Sequence, residues 1–322
     1  MLRTEELQMG FFISLHNWPV WSTLWHLISC PFQRLLRLFF PLIKRLPDVE
    51  ESAEVSQEVV SPSSVPEREL LMVGMSAKTY RIRNTVRKEC HVLPDDVGIT
   101  EQNMEACRNE ADVYLILGKH PLIATCLSIG PHREYIDLEY YENGNLKQYI
   151  NSNRASIIEA DLKRWAYQMI ESIAYIHSKG VRHSDIRLDQ WLVDAGLNAR
   201  LSDFNASGFD PQPDLGLEAR PALGVESPSH YLPRDPEADN TVESDLFALG
   251  SSLYELVAGQ SPYEDLSDES IESLFRKEIF PSTEELLLGE IIRNCWKRRY
   301  RSAKDILDLE AWSPTTHLSD GH

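Results

Sequence analysis

Carboxylates occur in two short motifs in the middle of the chain, and a cation accompanies the first of them. HSDIRLDQWL holds Asp185 and Arg187, and LSDFN holds Asp203. Carboxylate side chains can accept protons, and their oxygen atoms bind hard cations such as Mg²⁺. The alternative interpretation is that both aspartates are surface turn residues. A third motif, VESDLFALG at 242–250, opens a predicted helix.

These three motifs, in this order, resemble those of the protein-kinase family. The family pattern has HRDLxxxN, then DFG, then APE, then a helix that begins near SDxWxxG. In this chain Pro233-Arg234-Asp235 stands at the APE position, and the resemblance extends over residues 70–313. The wording of HSDIRLDQWL and LSDFNASGFD is most similar to a divergent kinase-like group of filamentous fungi. The resemblance implies a two-lobed α+β fold, with a small β-rich N-terminal lobe and a larger helical C-terminal lobe.

The resemblance also implies roles for residues of these motifs in moving the ATP γ-phosphate to a protein hydroxyl. Asp185 would accept or orient the proton of the hydroxyl, and Arg187 would contact the γ-phosphate. Asp203 would hold Mg²⁺, and Gln190 stands where the family has an asparagine that binds a second Mg²⁺. Asp245 would brace the loop that carries Asp185 through backbone hydrogen bonds.

The residues implied to bind ATP lie nearer the N-terminus. Lys88 is the candidate for the lysine that binds the α- and β-phosphates, although Arg87 is its neighbour. Glu110 is the expected ion-pair partner of Lys88, with Asp112 as the fallback. This pair would orient the lysine toward the nucleotide.

Two further segments would hold the nucleotide. Gly74 lies in MVGMSAKTY, at the position of the family's glycine-rich loop. Backbone groups of Glu139 and Tyr141 would bind adenine, with Leu138 at the back of the pocket.

Several departures from the family pattern leave two functions open. The loop of Gly74 has one glycine where the family has three, and glycines let backbone N–H groups approach phosphate. Gln190 is one methylene longer than asparagine, whereas Mg²⁺ demands tight geometry. Asn205 replaces the DFG glycine, which is a mild change. Ser184 replaces an arginine that reads activation-segment phosphate, so control by phosphorylation of 206–232 is not expected. The hypotheses are an active kinase, acting on Ser/Thr, and a pseudokinase that serves as a binding or scaffolding module.

The predicted secondary structure that must position these residues changes along the chain, from strands to helices. β-prone runs predict strands at 70–73, 80–89 with a turn at 83–84, 123–129 and 135–140. Apolar residues at helical spacing predict helices at 104–117, 160–178, 242–258 and 284–296. Strands followed by helices predict an α+β protein with two unlike lobes.

The composition of the chain argues against one class of partner and indicates a cellular compartment. The formal net charge of −18 argues against nucleic-acid binding, because polyphosphate binding needs a basic surface. The five cysteines form no CxxC pair, which indicates reduced thiols in the cytoplasm. The ligands that the resemblance to protein kinases implies are ATP and a protein substrate or partner.

The first 46 residues differ from the rest of the chain. Residues 9–32 lack charged side chains and contain three tryptophans, and residues 33–46 mix basic and apolar residues. This pattern predicts membrane contact through residues 9–46, on the cytosolic side. The alternatives are an extra helix packed on the folded domain and a disordered leader. Residues 47–69 are predicted to be an acidic, Ser/Pro-rich linker, and residues 314–322 a C-terminal tail.

Overall fold

The computed structural model of the chain describes residues 68–235, 238–309 and 312. The segment 9–46, with its predicted membrane contact, lies outside the described residues, as do the tail and nearly all of the linker. Among the described residues, no helix is both long enough and apolar enough to span a bilayer. The described chain up to Pro233 and from Asp239 onward belongs to one compact unit, which contains every site discussed below.

An antiparallel five-stranded sheet forms the N-terminal lobe, with the strand order β1-β2-β3-β5-β4. The predicted turn at 83–84 joins β2 to β3, and Arg83 takes a left-handed backbone there, with φ of 59°. The predicted strand 123–129 was too long, because the Ala124 N–H donates to the Leu201 carbonyl outside the sheet. The strands are β1 Glu69–Val73, β2 Ala77–Ile82, β3 Thr85–Cys90, β4 Cys126–Ile129 and β5 Tyr135–Glu139.

Helix α1, Val97–Leu117, lies between β3 and β4 in the chain. It begins seven residues before the predicted start at 104, because the Asp96 side chain caps it by accepting the Ile99 N–H at 2.9 Å. The first turn lacks the apolar stripe that marks a buried helix, since Val97 is 69% exposed. The helix ends at Gly118, whose φ of 61° suits glycine.

The C-terminal lobe is mainly helical, which confirms the predicted two-lobed α+β fold. Helix α4 is buried along nearly its whole length, and α3 buries a stripe that includes Trp165 and Ile173. The predicted helix at 284–296 begins only at Gly289, because Leu288 has a left-handed backbone with φ of 63°. The helices are α2 Leu146–Asn153, α3 Glu159–Ser178, α4 Val242–Ala258, α5 Asp268–Arg276, α6 Gly289–Trp296 and α7 Ala303–Leu307.

Four short strands frame the predicted catalytic motifs in this lobe. They are β6 Val181–Arg182, β7 Trp191–Val193, β8 Ala199–Leu201 and β9 Gly208–Phe209. Strand β6 pairs with β9 and β7 pairs with β8. The loop between β6 and β7 carries Asp185, and the loop between β8 and β9 carries Asp203.

Candidate active site

The backbone of the loop after β6 is held by hydrogen bonds to a buried carboxylate. Asp245, on α4, accepts the backbone N–H groups of His183 at 2.8 Å and Ser184 at 2.9 Å. His177 Nε2 lies 2.9 Å from the same carboxylate. Burial alone would raise the pKa of Asp245, but the hydrogen bonds from His177 and Ser184 outweigh burial and lower it. The predicted bracing of this loop by Asp245 is confirmed.

Asp185 is a buried carboxylate held by two side chains of its own loop. It is 7% exposed. Arg187 donates to both of its oxygens, Nε at 3.0 Å and Nη2 at 3.1 Å, and Gln190 Nε2 donates at 2.9 Å. The 3-10 turn Leu188–Gln190 brings Gln190 back onto Asp185. The loop therefore presents one carboxylate in a fixed orientation beside one guanidinium.

The environment of Asp185 predicts a pH dependence of any reaction that uses it as a base. Burial raises the pKa of Asp185 to about 7, and the charge of Arg187 opposes this rise. Below that pH the carboxyl is protonated and accepts no proton, so we expect the rate constant of the chemical step to fall about tenfold per pH unit. A single-turnover pH profile measures this. In Arg187→Gln the inflection is expected at higher pH, since the guanidinium favours the charged form. A flat wild-type profile from pH ~6 to ~8 would contradict the prediction.

Lys88 lies between two carboxylates from different parts of the chain. Its Nζ is 2.6 Å from Glu110 Oε2, on α1, and 2.5 Å from Asp203 Oδ1. The Lys88 side chain is 12% exposed and that of Glu110 2%, whereas that of Asp203 is 31% exposed. Burial would lower the pKa of Lys88, but the two carboxylates outweigh it and raise the pKa. Burial raises the pKa of Glu110, while Lys88 holds the pKa of Asp203 below its ordinary value despite burial.

Asp112 and Arg87, the alternatives to Glu110 and Lys88 in the sequence, have other partners in the structure. Asp112 pairs with Arg133 at 3.0 Å. Arg87 points away from Lys88, as alternation along a strand requires, and pairs with Asp137 at 2.7 Å. Among these candidates, Lys88 and Glu110 are the residues that the fold brings together.

A row of aromatic rings links the two loops to helix α1, and sequence reasoning missed it. Phe204, fully buried, lies 5.2 Å from the His183 ring and 5.3 Å from the Tyr114 ring, centroid to centroid. Tyr114 follows Glu110 by one helical turn, so its ring and the Glu110 carboxylate share one face of α1. That spacing of four residues was the available signal. The row couples the position of α1 to that of Asp203.

The turn of Gly74 is closed by its own hydrogen bonds. The Gly74 N–H donates to the Ala77 carbonyl at 2.9 Å, and His91 Nε2 bonds the Gly74 carbonyl at 2.8 Å. His91 also donates its N–H to the Ser76 carbonyl at 2.8 Å. Gly74 was predicted to bind ATP, but its N–H is already used inside the turn.

The segment after β5 is fastened to Thr125. The Glu139 N–H donates to the Thr125 carbonyl at 2.9 Å, and the Tyr141 hydroxyl accepts the Thr125 N–H at 3.0 Å. The Tyr141 N–H has no acceptor within the part of the chain that the structure describes. Of the two backbone positions expected to bind adenine, Tyr141 is thus the one whose N–H is available to a ligand.

The oxygen donors suit a divalent cation that is shared with a ligand. Among the described residues, no cluster of three His, Cys, Asp or Glu side chains is placed to hold a metal by itself. Asp203 offers a partly exposed carboxylate, and Gln190 offers an amide oxygen, since its nitrogen is used by Asp185. Mg²⁺ typically takes one or two carboxylates and completes its shell with water and phosphate. The donor set fits this use.

The two-lobed fold, with a lysine held between α1 and the loop of Asp203, defines the class of the protein. The family model described as "Protein kinase domain" matches residues 74–312, well over half of the chain. The chain belongs to the protein kinase domain family. Membership of this family implies that the chain uses ATP and a divalent metal.

Relatives in plants and animals agree with this family. The chain is 30% identical to CBL-interacting protein kinase 31 of Oryza sativa subsp. japonica over 211 residues, covering 63% of this chain and 45% of the relative. It is 28% identical to CBL-interacting serine/threonine-protein kinase 8 of Arabidopsis thaliana, covering 67% and 49%. It is 27% identical to serine/threonine-protein kinase PLK4 of Nematostella vectensis, covering 65% and 21%. The matched region thus spans less than half the length of each of these relatives.

Proposed function

We propose that this chain is an ATP-dependent protein kinase that moves the γ-phosphate to a serine or threonine hydroxyl. The observation that carries the proposal is the contact of Lys88 with both Glu110 and Asp203. A buried lysine between two carboxylates is fixed in orientation and stays charged, as a phosphate-binding group must. The serine/threonine preference is supported by relatives whose names include serine/threonine-protein kinase.

The chemistry follows from positioning and charge. When bound, Mg·ATP supplies the transferable phosphoryl group and the divalent charge that offsets its oxygens. Asp203 and Gln190 would hold the Mg²⁺. Asp185 would accept the proton of the substrate hydroxyl, and Arg187, whose side chain is 35% exposed beside it, would contact the transferred phosphate.

A pseudokinase is the second function in our proposal. The observation that favours it is the closed turn of Gly74, whose N–H donates to Ala77 and leaves one fewer donor for phosphate. Such a module would bind partners on the same fold. The kinase proposal is preferred because Asp185, Asp203 and the Lys88–Glu110 pair are all in place.

Phosphate incorporation by the full chain with Mg·ATP separates the two functions. The assay uses the chain itself and a generic protein as acceptors, and a Mg·ATP-dependent rise in melting temperature reports nucleotide binding. Incorporation into serine or threonine supports the kinase. A thermal shift without incorporation, over a range of Mg²⁺ and Mn²⁺, would support the pseudokinase. Absence of both would remove the basis of the enzyme proposal.

Gln190→Asn tests the metal assignment. The shorter amide restores the side chain that the family uses for Mg²⁺, so we expect kcat to stay equal or rise by up to about tenfold. Steady-state kinetics over a Mg²⁺ titration measure it. A large fall in kcat would indicate that Gln190 does not stand at the metal-binding position.

The cellular setting is part of the proposal. The cysteine pattern supports the cytoplasm, and the composition of residues 9–46 supports contact with its membranes. Deletion of residues 1–46 is then expected to release the protein from membranes. The wording of HSDIRLDQWL and LSDFNASGFD supports placement in the divergent fungal kinase-like group.

A further inference from the structure

Helix α1 has a second connection to the segment after Asp203, independent of Lys88. Asn109, 3% exposed, precedes Glu110 on the helix. Its amide nitrogen donates to the carbonyls of Ser207 at 2.8 Å and Asn205 at 3.0 Å, with the Phe204 carbonyl at 3.4 Å. Two adjacent residues of α1 are therefore linked to the loop of Asp203. Glu110 is linked through Lys88, which contacts the Asp203 side chain, and Asn109 bonds the loop backbone directly.

A residue one turn earlier on α1 forms an ion pair with a later part of the segment that follows Asp203. Glu105 pairs with Arg220. Arg220 is itself fixed, because its N–H and carbonyl exchange hydrogen bonds of 2.9 Å with Phe209 in both directions. Gly208 lets the two arms meet, since a Cβ there would lie 2.5 Å from the Ala222 nitrogen. The segment thus folds back into a hairpin that presents Arg220 to α1.

These contacts need no phosphate on the segment. The serine hydroxyls between residues 206 and 232 already have partners. Ser207 donates to the His183 carbonyl at 3.2 Å, and Ser227 and Ser229 bond His230 Nδ1 at 2.9 and 3.1 Å. Ser184, at the position before Asp185, uses its N–H on Asp245 and carries no charge to attract a phosphate.

We infer that Asn109 and the Glu105–Arg220 pair are positioning groups that hold α1 where Glu110 meets Lys88, in protein that carries no phosphate. This inference rests on the proposed kinase function and adds to it how the site is kept assembled. A buried amide donor that serves several carbonyls is expensive to remove, because the Asn205 and Ser207 carbonyls then lose its hydrogen bonds. The Phe204 carbonyl still accepts the Ser207 N–H at 3.1 Å. The unmodified chain is therefore the active form.

The test compares phosphatase-treated full chains, with the absence of phosphate verified by intact mass. The variants are Asn109→Leu, of similar size without donors, and Arg220→Gln. The matched control is Asn294→Leu on α6, which removes an amide bonded to the Tyr300 hydroxyl at 3.4 Å, far along the chain. Kinetics are expressed per nucleotide-binding site, so that unfolded protein does not count. A merely structural role would leave this kcat unchanged.

We expect treated wild type to keep its kcat within about twofold of untreated protein. Asn109→Leu is expected to lose about tenfold or more in kcat per site, with a smaller change in KM for ATP, and Arg220→Gln about threefold. Asn294→Leu should match wild type. The exchange of charges in Glu105→Arg with Arg220→Glu should recover about half of the loss caused by Arg220→Glu alone.

Three results would overturn the inference. They are loss of wild-type activity on phosphatase treatment, an Asn109→Leu kcat equal to that of Asn294→Leu, and no recovery by the exchanged pair. If Asn109→Leu does not fold, the exchanged pair on the surface decides alone. If wild type transfers no phosphate, the proposed function fails by itself, and Mg·ATP affinity then becomes the readout. Weaker affinity in Asn109→Leu and Arg220→Gln than in Asn294→Leu would keep the positioning role, whereas equal affinity or no binding would end it.

Discussion

Asp185→Asn is expected to lose phosphate transfer by about 10²- to 10⁴-fold while it keeps its fold and its affinity for Mg·ATP. The substitution keeps the shape of the side chain and an oxygen for Arg187, but it removes the proton acceptor. Asp185 is 7% exposed, and the cost of burying its charge raises its pKa to about 7. Asparagine carries no charge, so this cost is absent in the variant. The free energy of unfolding should therefore not fall.

Three measurements on one preparation check this expectation. Phosphate incorporation gives the rate, a Mg·ATP titration gives the affinity, and urea unfolding gives the stability. Asp265→Asn, the same change at an exposed position between α4 and α5, serves as the matched control and should behave as wild type. Activity within about tenfold of wild type in Asp185→Asn would show that the proton is accepted elsewhere.

Lys88→Met is expected to lose transfer and also to lower the free energy of unfolding by about 3 kcal/mol. The substitution leaves Glu110 buried without its cation, while Asp203, 31% exposed, keeps some contact with water. Burial already raises the pKa of Glu110, and removal of Lys88 raises it further. The folded variant then binds a proton that the unfolded chain releases near the ordinary glutamate pKa. Its stability should consequently fall as pH rises above that value.

The double variant Lys88→Met with Glu110→Gln separates charge from packing. Gln removes the buried charge, so stability should recover by about 1–2 kcal/mol while transfer stays absent. Urea unfolding between pH ~5 and ~8 measures both the loss and its pH slope. Lys297→Met, at the exposed end of α6, controls for the loss of a surface lysine. Equal stability of Lys88→Met and Lys297→Met would mean that Lys88 does not neutralise Glu110.

Local patterns were sufficient for most elements of the fold. Helix α3 was predicted at 160–178 and spans Glu159–Ser178, since its apolar side chains recur at helical spacing. Helix α4 was predicted at 242–258 and has those bounds. The start of α1 was missed because its first turn is exposed and only the Asp96 cap marks it. Local sequence therefore located long elements with a periodic buried face. It missed the exposed first turn of α1 and also the buried strands β6 to β9, because two or three residues are too few to show a period.

The sequence by itself determined which residue types stand in which order, including the carboxylates at 185 and 203 and the lysine at 88. It left the partner of Lys88 open between Glu110 and Asp112, because two residues along a helix turn the side chain by about 200° and only packing selects the face. Tertiary structure alone decided that Asn109 meets the carbonyls after Asp203 and that Phe204 lies between His183 and Tyr114. Such contacts join segments far apart in the chain, where spacing carries no information and the packing of one lobe against the other sets the distance.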